Sequence, residues 1–147
     1  MSGSYAVTQE DVLLLIVDGG TDGPFDVDPM RLMKGGFLVA QLGREPWREL
    51  FSFRAYDYGP FDRTIYNSRD NLLARGLLEL DSTSHYASYR LTESGRQRAE
   101  ELTNELGPDA AWIRSIGAYV TSRSFTALLN EIYTQYPQYA ERSVMRR

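Results

Sequence analysis

The 147-residue sequence contains no cysteine and a single histidine, His85. The first absence removes disulfides, thiolate nucleophiles and cysteine-based zinc or iron–sulfur sites. The second removes multi-histidine metal centres and leaves His85 as the sole candidate for a Ser–His relay, without a placed acid beside it. Long hydrophobic runs are missing too. The longest, Val12 to Val17, is far below the roughly 20 residues that a membrane helix needs. No basic segment joined to an apolar stretch marks the start of the chain as an export signal. Neither G-x-x-x-x-G-K-[ST] nor G-x-G-x-x-G occurs, so no phosphate-binding glycine loop is present. The Asp/Gly-rich loop Asp18 to Asp28 fails as an EF-hand, because Gly20 takes a ligand position and Pro29 stands where the bidentate Glu belongs. These absences predict a non-enzymatic, cytoplasmic protein with no cofactor, no metal and no membrane partner.

What the sequence does contain is ordinary for a globular fold: 42% hydrophobic and 24% charged residues, enough for a full core. The net charge is −4, which disfavours general affinity for polyanions while leaving room for a local basic patch. Thr8 with Asp11 forms a capping-box pattern before the apolar run Val12–Val17, predicting a first helix that is buried on most sides and stopped at Gly19-Gly20. Asp28-Pro29 starts a second helix, in which Met30, Met33, Phe37, Leu38 and Leu42 recur at helical spacing. Gly35 and Gly36 weaken that helix by about 1 kcal/mol each unless a neighbour approaches closely there.

Leu50 to Tyr58 is rich in aromatics and runs into the turn Tyr58-Gly59-Pro60-Phe61. Asp62 caps a third helix reaching about Arg75 and ended by Gly76. Leu77–Leu80 and Tyr86–Leu91 read as the two strands of a hairpin, and Thr92 caps a fourth helix, Glu93 to about Leu106. Beyond Gly107-Pro108, two further apolar stripes follow. One comprises Trp112, Ile113, Ile116, Tyr119 and Val120, the other Phe125, Leu128, Leu129, Ile132 and Tyr136. The fold class expected is mainly α with a small β-hairpin: a winged helix-turn-helix domain over residues 1–106, then a C-terminal helical extension over 107–147. That extension serves either homodimerisation or closure of a monomer's core.

The segment Leu72…Gly76-Leu77-Leu78…Tyr89-Arg90-Leu91-Thr92-Glu93-Ser94-Gly95-Arg96 resembles the L-x-x-x-G-L, hairpin, Y-x-L-T-x-x-G-R pattern of winged-helix proteins of the PadR and MarR families. Its residues have physical roles: Gly76 for the tight helix exit, Tyr89 and Leu91 on one strand face over the core, Thr92 as a cap, Gly95 for close helix approach. Separately, Arg31 to Gln41 followed by Ala55-Tyr56-Asp57-Tyr58-Gly59-Pro60-Phe61 is similar to the pattern of Panacea-type antitoxin domains, which bind proteins. The first resemblance implies a DNA-binding transcriptional regulator and the second a protein-binding module.

On a helix of 3.6 residues per turn, Ile65, Leu72 and Leu73 share one face of the third helix, and Arg63, Asn67 and Asn71 share the other. Arginine and asparagine pair with guanine and adenine edges. Arg63, Asn67 and Asn71 are therefore candidates for the major groove, with His85 and Arg90 of the wing near the backbone. Against this, Asp70 shares the outward face, and Asp62 to Arg98 holds six arginines and five acids, a net of only +1. Arg69 lies about 40° from Ile65, on the apolar face, and is expected to pair with an acid such as Asp57. Two partner classes remain open, duplex DNA and protein. Tyr56, Tyr58, Phe61 and Tyr66, clustered around the turn before the third helix, are read as core and hydrogen-bonded turn, with a base-stacking surface or a protein hot spot as the alternative.

Overall fold

The computed structural model describes residues 6–81 and 87–143. Six α-helices and two short antiparallel hairpins occur among them. The helices are α1 (Gln9–Gly19), α2 (Pro29–Leu42), α3 (Arg63–Ala74), α4 (Glu93–Leu106), α5 (Pro108–Val120) and α6 (Phe125–Gln135). The hairpins are β1 (Arg54–Tyr56) with β2 (Gly59–Phe61), and β3 (Leu78–Asp81) with β4 (Ser88–Leu91). A 3-10 segment, Glu45–Leu50, joins α2 to the first hairpin, and another, Pro137–Tyr139, follows α6. The protein is thus mainly helical, with three helices, a wing hairpin and a fourth helix in the order expected.

The local signals in the sequence place the helix starts. The Thr8 side chain accepts from the Asp11 amide while Asp11 accepts from the Thr8 amide, so the capping box closes in both directions. Asp28 caps α2 through the Arg31 amide at 2.8 Å, and Thr92 caps α4 through the Gly95 amide at 2.9 Å. Gly76 follows the α3 cap with φ of +72°, a backbone state that a side chain disfavours. β4 then presents Tyr89 and Leu91 to the core, each 6% exposed, as its alternation predicts.

α1 is the centre of the molecule. Every residue from Asp11 to Val17 is buried, because α2, α3, α4 and α5 all pack around it. Its contact with α5 is backbone to backbone: a Cβ on Gly117 would fall 2.1 Å from the Ile16 carbonyl oxygen, and one on Gly19 would fall 1.9 Å from that of Arg114. The glycine pair in α2 faces side chains instead. A Cβ on Gly35 would press Ile16 at 3.1 Å and one on Gly36 would press Ile65 at 2.9 Å, so α2 is wedged between α1 and α3. Ala110, Ile113 and Val120 of α5 and Leu128 and Ile132 of α6 join the same hydrophobic core as α1 to α4. The Asp/Gly-rich loop runs beside the wing, where the Tyr89 amide donates to the Val27 carbonyl at 2.9 Å.

One element departs from expectation. Arg54 to Phe61 forms a hairpin of three residues a side, with Arg54 opposite Phe61 and Tyr56 opposite Gly59, where a simple turn is predicted. No helix among the described residues is long and apolar enough to cross a membrane.

Candidate recognition surfaces

Asp62 fixes where α3 begins. Its carboxylate is buried and accepts from the Thr64 amide at 2.9 Å, the Thr64 hydroxyl at 2.7 Å and the Ser52 amide at 2.7 Å. Ile65 and Leu72 then turn inward, and Arg63, Asn67 and Asn71 are all exposed, as their helical phase requires. Arg63 and Asn67 make no side-chain hydrogen bond or ion pair with the described residues. Asn71 does: it donates to Glu10 of α1 at 3.4 Å, and the same carboxylate takes Arg75 at 2.5 Å.

The wing repeats this pattern. Arg90 stands across from Glu79 in the ladder and pairs with it at 3.4 Å and with Asp81 at 3.6 Å. Between the wing and the loop before α2 lies a cleft of about 400 Å³, lined by Asp18, Asp22, Asp26 and Asp81 beside Arg90 and Arg96. Burial raises the pKa of Asp18, partly opposed by Arg114. His85 lies outside the described residues. The face that would meet a duplex therefore carries Arg63, Asn67 and Asn71 on one helix, while Glu10 of α1 engages Asn71 and Arg75, and Glu79 and Asp81 of the wing pair with Arg90.

Arg69 pairs with an acid as expected, but with Asp70 and not with Asp57. Its Nε donates to Asp70 at 2.9 Å and its Nη1 to the Tyr89 hydroxyl at 3.0 Å, with the Tyr66 ring 4.5 Å from the guanidinium. The side chain lies against the rings of Tyr66 and of Tyr89, whose hydroxyl it also meets, so an arginine on the apolar face is solvated by the protein itself.

A second surface lies at the turn. Tyr56 and Tyr58 stand 37% and 46% exposed on the first hairpin. Arg54 lies 5.4 Å and Arg142 6.0 Å from the Tyr56 ring, and Tyr58 meets Phe125 edge-on at 6.2 Å. The hairpin is pinned from below. Lys34 of α2 donates to the Tyr58 carbonyl at 2.6 Å, and Phe61 packs edge-on against Tyr66 at 5.7 Å. Lys34 was missed in the sequence although its position was informative: it follows Met30 by four residues and so lies on the apolar stripe of α2.

Compared with family models, with curated proteins and with solved structures, the chain finds no match.

Proposed function

We propose that this chain is a non-enzymatic protein-recognition module built on a winged-helix scaffold, with the β1–β2 hairpin as its contact edge. The observation that carries this reading is the pair Tyr56 and Tyr58, exposed on a rigidly anchored hairpin with Arg54 and Arg142 against the Tyr56 ring. Tyrosine and arginine are enriched among the residues that carry most of the binding energy of protein interfaces. The engagement of Asn71, Arg75 and Arg90 by Glu10, Glu79 and Asp81 supports it from the other side, since these surface pairs lower the positive charge that a phosphate backbone would meet. The similarity to Panacea-type antitoxin domains points to the same class of partner.

The test compares two double variants of the full chain. A partner recovered by crosslinking to the wild-type protein is lost by Tyr56→Ala/Tyr58→Ala and kept by Arg63→Ala/Asn67→Ala. The reverse pattern overturns the reading.

A DNA-binding regulator is the second reading, favoured by Arg63 and Asn67, which are exposed and bonded to nothing else among the described residues. It requires that selection from a random duplex library yield a sequence bound far more tightly than the roughly 10⁻⁴–10⁻⁶ M of non-specific binding. It also requires that Arg63→Ala abolish that preference.

A further inference from the structure

α2 carries two basic side chains into the interior, and their surroundings differ. Arg31 is fully engaged: Nε donates to the Val120 carbonyl at 3.0 Å, Nη1 to Asp28 at 2.7 Å and Nη2 to the Arg123 carbonyl at 3.1 Å. Lys34 is only 2% exposed, and its single hydrogen bond goes to the Tyr58 carbonyl at 2.6 Å. An ammonium has three N–H donors to place. Phe125 of α6 offers its ring 5.2 Å from Nζ, and no carboxylate among the described residues lies within ion-pair distance. The charged groups acting on Lys34 both belong to the start of its own helix: Asp28, already bonded to Arg31, and Arg31 itself. From α3 and the hairpin the titratable neighbours are phenols, Tyr66, Tyr56 and Tyr58.

Against this lysine lies a cavity of about 120 Å³, walled by Met30, Met33, Tyr56, Phe61 and Tyr66. A water needs about 10–15 Å³ of such free space, so the cavity has room for several heavy atoms, enough for a short carboxylic acid. Its walls are rings and thioethers, and its one charged group is a cation in need of a counter-ion. Burying a charge without a partner is costly, and an anion in contact with it offsets that cost. A phosphate, with oxygens on every side, finds too few donors here. A carboxyl group on a short apolar stem matches both the charge and the walls.

We propose that this cavity is a binding site for a short carboxylate, with Lys34 as its counter-charge. The carboxylate is either a free short-chain acid or the tip of an aspartate or glutamate of a partner seated over Tyr56 and Tyr58. The second source rests on the protein-recognition reading and the first does not. Burial also lowers the pKa of Lys34 to about 8, so the ammonium form prevails at neutral pH and a bound carboxylate holds it protonated further into the alkaline range.

Sodium propionate titrated into the full-length chain tests this, against propionamide and sodium chloride at matched ionic strength. Melting temperature and the methyl resonances of Met30 and Met33 are the readouts. Propionate is expected to raise Tm and to shift both methyls saturably, with no response to propionamide or chloride. The response disappears in Lys34→Met, and the apparent affinity falls about tenfold per pH unit above pH 8. No saturable shift, or the same shift in Lys34→Met, overturns the proposal. Because the variant removes a buried charge, it stays folded, and its own Tm verifies that. An acetylated pentapeptide with one glutamate separates the sources: tighter binding than propionate identifies a partner's side chain, and equal or weaker binding a free acid. Silence of propionate with partner capture intact removes the pocket alone, whereas a propionate response without partner capture removes only the recognition reading.

Discussion

Among the described residues Lys34 has one hydrogen bond and no carboxylate partner, and the folded state carries that cost wherever the ammonium is charged. Its pKa, lowered by burial to about 8 from about 10.5, corresponds to a penalty on the order of 3 kcal/mol. Lys34→Met removes the penalty and gives up one hydrogen bond worth about 1 kcal/mol. The variant is therefore expected to gain about 1–2 kcal/mol at pH 7, read from urea denaturation. Arg69 illustrates the opposite arrangement, since Asp70, the Tyr89 hydroxyl and the Tyr66 ring all receive it. Tyr89→Phe removes one of these and should cost about 1 kcal/mol, leaving Arg69 seated on the other two. Helical phase placed Arg69 on the apolar face correctly, but its partner could not be read there. Tyr89 is twenty residues away, and only the return of β4 beside α3 brings it within reach.

At the scale of elements, Thr92 joins two of them. Its hydroxyl accepts from the Gly95 amide at the start of α4 and donates to the Gly76 carbonyl, at 2.6 Å, where α3 gives way to the wing. Thr92→Ala should cost about 1–2 kcal/mol and Thr92→Ser very little, a contrast that thermal melting will register. The starts of α1, α2 and α4 were legible because a cap is written within four residues of sequence. The β1–β2 hairpin was not. Gly59-Pro60 has the composition of a turn, and its strands are three residues each, too short to show alternation. What makes them a hairpin is tertiary: Lys34 below the turn and Tyr66 against Phe61. The aromatic cluster was therefore legible as a possible contact surface while its hairpin geometry was hidden, whereas the outward face of α3, fixed by helical phase alone, was readable.

For the whole molecule, pH is the most informative variable. Below about pH 8 Lys34 is charged in both states and its burial cost is fully present. Between about 8 and 10.5 the folded chain releases this proton while the unfolded chain keeps it, so stability rises. Above about pH 10 the balance reverses. Tyr66, Tyr89 and Tyr139 have raised pKa values, and Tyr119 is pushed up to about 12, chiefly by burial. The unfolded chain then loses phenolic protons that the folded chain retains, and stability falls. A maximum near pH 9–10 in urea unfolding is the expected result, and Lys34→Met should flatten its acid side. Gly117→Ala tests the α1–α5 crossing, since its Cβ would strike the Ile16 carbonyl. A loss of about 2–3 kcal/mol or more is expected, because backbone on both sides leaves nothing flexible to yield. That same crossing dictates timing. During synthesis the apolar stretch of α1 is made about a hundred residues before α5, which covers its glycine-lined side. A nascent chain shorter than α5 must shield that helix by transient collapse or by a chaperone, and native topology waits on one long-range loop closure.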